Sequence, residues 1–110
     1  MKLPNFSDAI IEEVKLREYL LSRSHPVGRF KASYFESLGF EAGNWSELEQ
    51  AFRGLIANEE AEGSDRTEFG QKYTVSGEIN GPAGSGFLVT VWIVLNSESL
   101  PRFITAYPGG

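Results

Sequence analysis

The sequence predicts an α+β fold: three N-terminal helices packed on one face of a C-terminal three-stranded antiparallel meander. Apolar residues recur at near-helical spacing as far as Ile56, and from residue 67 they alternate every second position. The stretches richest in turn residues, HPVG and NGPAGSG, fall between these segments and punctuate them.

The first helix is expected over residues 8–22. Ile10, Val14, Leu20 and Leu21 lie near helical spacing, Ser7 or Asp8 is the candidate N-cap, and Glu13 and Arg17 form an i,i+4 pair. It cannot run past His25, because Pro26 disfavours the α region for the residue before it and Gly28 follows. A second helix covers Phe30 to Leu38, with Phe30, Tyr34 and Leu38 on one face and Gly39 as its stop. Asn44 followed by Glu47 approximates a capping box for a third helix, whose stripe is Trp45, Leu48, Phe52, Leu55 and Ile56. The Glu-rich NEEAEGSD after it reads as a loop.

In TEFGQKYTVSGEI, residues 67–79, Phe69, Tyr73, Val75 and Ile79 alternate with polar positions. NGPAGSG turns the chain into a hairpin with the strand Phe87 to Leu95, and NSESLP turns it again into Arg102 to Tyr107. If the helices cover Phe87, Val89, Val91 and Ile93, the opposite face gathers Lys72, Thr74, Thr90, Trp92, Phe103, Thr105 and Tyr107. Such a face ordinarily meets water. Trp92, Phe103 and Tyr107 are large for that role and suggest a groove or a partner.

With 110 residues, 41% of them hydrophobic, the chain fits a single domain over residues 1–110, helical over about 7–60 and sheet over about 67–108. There is no cysteine, which excludes disulfides and thiolate chemistry, and one histidine is too few for an ordinary zinc site. No metal and no cofactor are expected. MKLPNFSDAI lacks the apolar run of a signal peptide and no segment approaches the roughly 20 apolar residues of a membrane span, so a cytoplasmic location without membrane contact is expected. A net charge of −5 opposes non-specific attraction to nucleic acid. Its distribution is uneven: Arg23, His25, Arg29 and Lys31 cluster without an acid among them, whereas Glu36 to Glu68 holds nine acids against Arg53 and Arg66. The acidic stretch reads as a solvated face.

Four blocks carry a resemblance: HPVGRFKASYF at 25–35, FGQKY at 69–73, TVWIVL at 90–95 and PRFITAYP at 101–108. Together they resemble a family of small bacterial domains of unknown function, found alone and at the ends of toxin-like chains. The element order and ITAYP at 104–108 are also similar, more loosely, to the small ribonuclease toxins of the barnase, colicin and RelE-like group. That second resemblance implies metal-free RNA cleavage on an open sheet face by sets of His, Lys, Arg, Glu, Thr and Tyr.

Such cleavage needs a base for the 2′-hydroxyl proton, an acid for the leaving oxygen, and cationic or amide donors for the phosphorane. His25, Arg29, Lys31 and Tyr107 are the candidate catalytic residues. Histidine titrates near neutrality, and Arg29 and Lys31 stand at the start of the second helix, where free N–H groups favour an anion. Lys72, Thr90, Trp92, Phe103 and Thr105 are the candidate substrate-binding residues, the rings for base stacking. Each has a plainer structural role: His25 as a loop hydrogen-bonding residue, Arg29 and Lys31 as surface charge, Thr105 and Tyr107 as meander packing. Gly77, Gly81, Gly84 and Gly86 match no phosphate loop, no Gly-x-Ser-x-Gly elbow occurs, and Glu59, Glu60, Glu62 and Asp65 lack calcium-loop spacing.

The expected partners are therefore an RNA substrate and a cognate inhibitor or neighbouring small protein. The alternative is a non-catalytic protein-binding module, or a homodimer, using the aromatic sheet face. Geometry separates these readings. His25, Arg29 or Lys31 has to share a pocket with Thr105 or Tyr107.

Overall fold

In the computed structural model, which describes residues 1–22, 24–26 and 28–109 and of Phe30 only the backbone, the alternation after residue 60 becomes four antiparallel strands. They are β1 (Ala61–Arg66), β2 (Gly70–Gly81), β3 (Gly84–Leu95) and β4 (Arg102–Pro108), side by side in chain order. The extra strand corrects the expected three-stranded meander. β1 lies where a Glu-rich loop was expected, and pairs Ala61 with Val75 and Gly63 with Tyr73 before its register slips. It carries no hydrophobic alternation because it is the sheet's edge: Ala61 alone of its residues is buried.

The helices also match only in part. Helix α2 (Arg29–Ser37) and helix α3 (Trp45–Asn58) stand where the apolar stripes place them. The expected face of α2 included Phe30, whose side chain lies outside the described residues, as does Arg23 of the basic cluster. The long first helix is replaced by a 3₁₀ turn (Phe6–Asp8), an extended stretch, a short helix α1 (Glu13–Lys15) and a π turn (Leu16–Leu20). Ile10 explains the break. Its backbone accepts from Phe103 N–H at 2.9 Å and donates to Pro101 O at 2.9 Å, so this stretch covers the edge of β4 instead of coiling.

The face of β3 is opposite to the one expected. Leu88, Thr90 and Trp92 are fully buried under the helices, while Phe87 is exposed. Both faces of β3 are apolar, so alternation alone could not choose between them; the face bearing the indole buries the larger area. Phe103 stacks on Phe52 of α3 at 5.1 Å between ring centres and meets Trp92 edge-on at 5.3 Å. Thr90, Trp92 and Phe103 are thus core residues. Their expected place on an open substrate-binding face is corrected.

Thr90 satisfies the polar atoms of this core. Its Oγ1 donates to Val75 O at 2.7 Å and accepts from Trp92 Nε1–H at 2.8 Å. Thr90→Val keeps the shape and strands the indole N–H. The variant is expected to lose about 1–3 kcal/mol of stability, read as a lower urea midpoint at unchanged slope.

Candidate functional site

The geometry that decides the site lies at the β4 edge. In β4, Thr105 stands opposite Val91 but Phe103 opposite Trp92, so Ile104 is an extra residue, a β-bulge. Neighbours on a regular strand face opposite sides, whereas here Ile104 and Thr105 both line one groove of about 820 Å³. The facing wall is the helical stretch carrying Val14, Lys15, Glu18 and Tyr19. That wall is irregular too: Leu21 N–H bonds Leu16 O across five residues, the π winding that brings Leu16, Leu20 and Leu21 to the core. A bulge on each side of the groove re-aims the side chains that fill it.

His25 closes the end of the groove. Ser22 Oγ accepts from His25 N–H at 3.2 Å, and His25 Nδ1 accepts from Gly28 N–H at 3.0 Å. With Nδ1 accepting, the neutral ring carries its proton on Nε2. Its edge meets the Tyr19 ring at 5.0 Å. Gly28 is required here, because a Cβ would overlap the Tyr19 carbonyl oxygen.

Lys31, from the first turn of α2, reaches into this corner. Its Nζ donates to Tyr19 OH at 2.9 Å and to Thr105 Oγ1 at 2.8 Å, and lies 5.1 Å from the Tyr19 ring centre. The hydrogen bond from the Lys31 ammonium, and after it that of Thr105, holds the Tyr19 phenol below its ordinary value against the opposing effect of burial. Lys15 Nζ donates to Ile104 O at 3.2 Å and adds a second cation to the groove.

Of the expected site residues, the structure brings together His25, Lys31 and Thr105. Arg29 is exposed as the first residue of α2. Tyr107 stands opposite Val89, 42% exposed, and Lys72 opposite Ile93 on β2, two strands from β4; neither lines the groove. Tyr19, Lys15 and Glu18 were missed by sequence reasoning. No periodic signal marks Tyr19, because the π turn Leu16–Leu20 aims it. Among the described residues no cluster of three or more His, Cys, Asp or Glu could hold a metal ion, and no helix is long and apolar enough to cross a membrane. A smaller cavity of about 260 Å³ between α3 and β2 is lined by Glu59 and Glu78, with neither lysine nor arginine among its described walls.

The model of a family described as a domain of unknown function, DUF6883, matches residues 2–110. The chain belongs to this family. No curated protein matches it. A solved chain from a contact-dependent growth inhibition toxin and immunity protein complex of Klebsiella pneumoniae 342 shares the fold, with a TM-score of 0.68 over 92% of this chain and 100% of that one. The two are 19% identical, so the likeness is one of fold. The expected membership of a family of unknown function is met.

Proposed function

We propose that this DUF6883 chain is a toxin-type ribonuclease domain that cleaves RNA without a metal, its site at the β4 edge. The observation that carries the reading is the Lys31 ammonium bonded to both Tyr19 OH and Thr105 Oγ1, two residues that line one groove with His25. The fold shared with a chain of a toxin and immunity protein complex supports the toxin class.

In this reading the Tyr19 phenolate takes the proton of the 2′-hydroxyl as its oxygen attacks the neighbouring phosphorus. Lys31, Thr105 and the Nε2–H of His25 donate to the phosphorane oxygens. The departing 5′-oxygen takes a proton from Lys31, leaving a 2′,3′-cyclic phosphate. Tyr19 then returns its proton to Lys31 across their 2.9 Å bond, and the pair is reset. Arg29 contributes charge for an adjacent phosphate. The domain acts in the cytoplasm, and its protein partner is a cognate inhibitor that covers the groove.

A second reading is supported by the outer sheet face. Phe87 and Tyr107 are 48% and 42% exposed beside Val89, a stripe suited to a protein partner and different from the buried aromatic face of Trp92 and Phe103. The two readings separate on RNA cleavage by the purified protein in EDTA. Cleavage lost in a Lys31→Met variant of native circular dichroism supports the nuclease; an inert wild type supports the binding module.

A further inference from the structure

We infer that the outer face of the sheet seats a second copy of this chain, related to the first by a two-fold axis lying across the strands. This rests on the outer face being a docking surface and gives it an occupant. None of the residues involved lines the groove, so the dimer does not depend on RNA cleavage. On β3 the helices bury Leu88, Thr90 and Trp92, which leaves Phe87, Val89, Val91 and Ile93 as a continuous apolar row on the other face. Phe87 is 48% exposed and the other three are partly so. The open face of an antiparallel sheet ordinarily carries polar residues, so an apolar row there calls for a cover.

The charges on the neighbouring strand say what the cover is. On β2, Lys72 stands opposite Ile93 and Glu78 opposite Phe87, so both share the face of the apolar row and mark its two ends. They lie about 20 Å apart along the strand. Neither makes an ion pair among the described residues. Midway between Lys72 and Glu78 is Val75, midway between Phe87 and Ile93 is Thr90, and Val75 pairs with Thr90. The two rows therefore share one centre. A two-fold axis across the strands at that level lays β2 on β2 and β3 on β3, running opposite ways. Lys72 then meets Glu78 of the second copy and Glu78 meets its Lys72, while Phe87 meets Ile93 and Val89 meets Val91. An axis along the strands keeps every residue at its own level and never brings the two charges together. An apolar middle flanked by opposite charges is thus complementary to itself. Four strands about 4.8 Å apart and rows about 20 Å long offer roughly 400 Å² on each copy. An interface of that size makes a weak, reversible dimer.

Sedimentation velocity over about a thousand-fold range of concentration, up to about 1 mM, is expected to show the wild type passing from monomer to dimer. Lys72→Glu and Glu78→Lys each turn both symmetry-related pairs into like charges, and each should weaken association by about 10-fold or more. The double variant Lys72→Glu, Glu78→Lys restores opposite charges across the axis and should dimerise like the wild type, with native circular dichroism throughout. A wild type that stays monomeric overturns the second copy and leaves the face to a different protein. Single variants that associate unchanged, or a natively folded double variant that stays monomeric, overturn it as well. A dimer that obeys the charge swap but cuts no RNA in EDTA overturns the ribonuclease reading and leaves this interface standing.

Discussion

Lys31→Met is expected to lower RNA cleavage by about 10²- to 10³-fold, the usual cost of removing one preorganised donor from a developing anion. Methionine keeps most of the length and packing of the stem, so native circular dichroism and a melting temperature within a few degrees of wild type should accompany the loss. The size of the effect follows from what Lys31 does: one ammonium meets Tyr19 OH at 2.9 Å and Thr105 Oγ1 at 2.8 Å, so its removal takes away a phosphorane donor and the group that activates Tyr19. Thr105→Val should lose less, because it removes one neutral donor and leaves the lysine in place. Equal losses from the two would contradict this ranking.

Tyr19→Phe is the second large effect. The phenol is held below its ordinary value of 10.0, chiefly by Lys31. Wild-type cleavage should therefore rise with pH through a value below 10, and Tyr19→Phe should cut the rate by about 10²- to 10⁴-fold and abolish that rise. The linked stability has a definite sign. The folded value lies below the unfolded one, so the stabilisation from the phenolate is fully present above about pH 10 and is lost as pH falls through the folded value. A pH–rate profile of unchanged shape in Tyr19→Phe would remove the phenol from the reaction.

Much of the fold was legible because burial leaves a periodic trace. The stripe Trp45, Leu48, Phe52, Leu55 and Ile56 placed α3, and the hairpin glycines around Pro82 placed the turn between β2 and β3. β1 was not legible, since an exposed edge strand of sequence AEGSDR needs backbone pairing and no apolar face. Nor was the face of β3, where Leu88, Thr90 and Trp92 compete with Phe87, Val89 and Val91 and only packing against Phe103 and Phe52 settles which side is buried.

At the site, His25, Lys31 and Thr105 could be chosen from chemistry and their place beside turns or near the chain's end. Tyr19, Glu18 and Ile104 could not, because a π turn and a β-bulge aim them, and both are departures from the periods on which sequence reading depends. Tyr107 was selected by the alternation of a regular β4. The bulge at Ile104 places Thr105 in the groove, and Tyr107 stands beyond it, opposite Val89.

The most direct measurement of the central claim is the chemistry of the cut ends. An RNA oligonucleotide incubated with the wild-type protein in EDTA and analysed by mass spectrometry should yield 2′,3′-cyclic phosphate and 5′-hydroxyl ends, and a 2′-deoxy substitution at the cut site should block the reaction. Intact RNA, or products ending in 3′-hydroxyl and 5′-phosphate, would contradict the catalytic roles of Tyr19, Lys31 and Thr105.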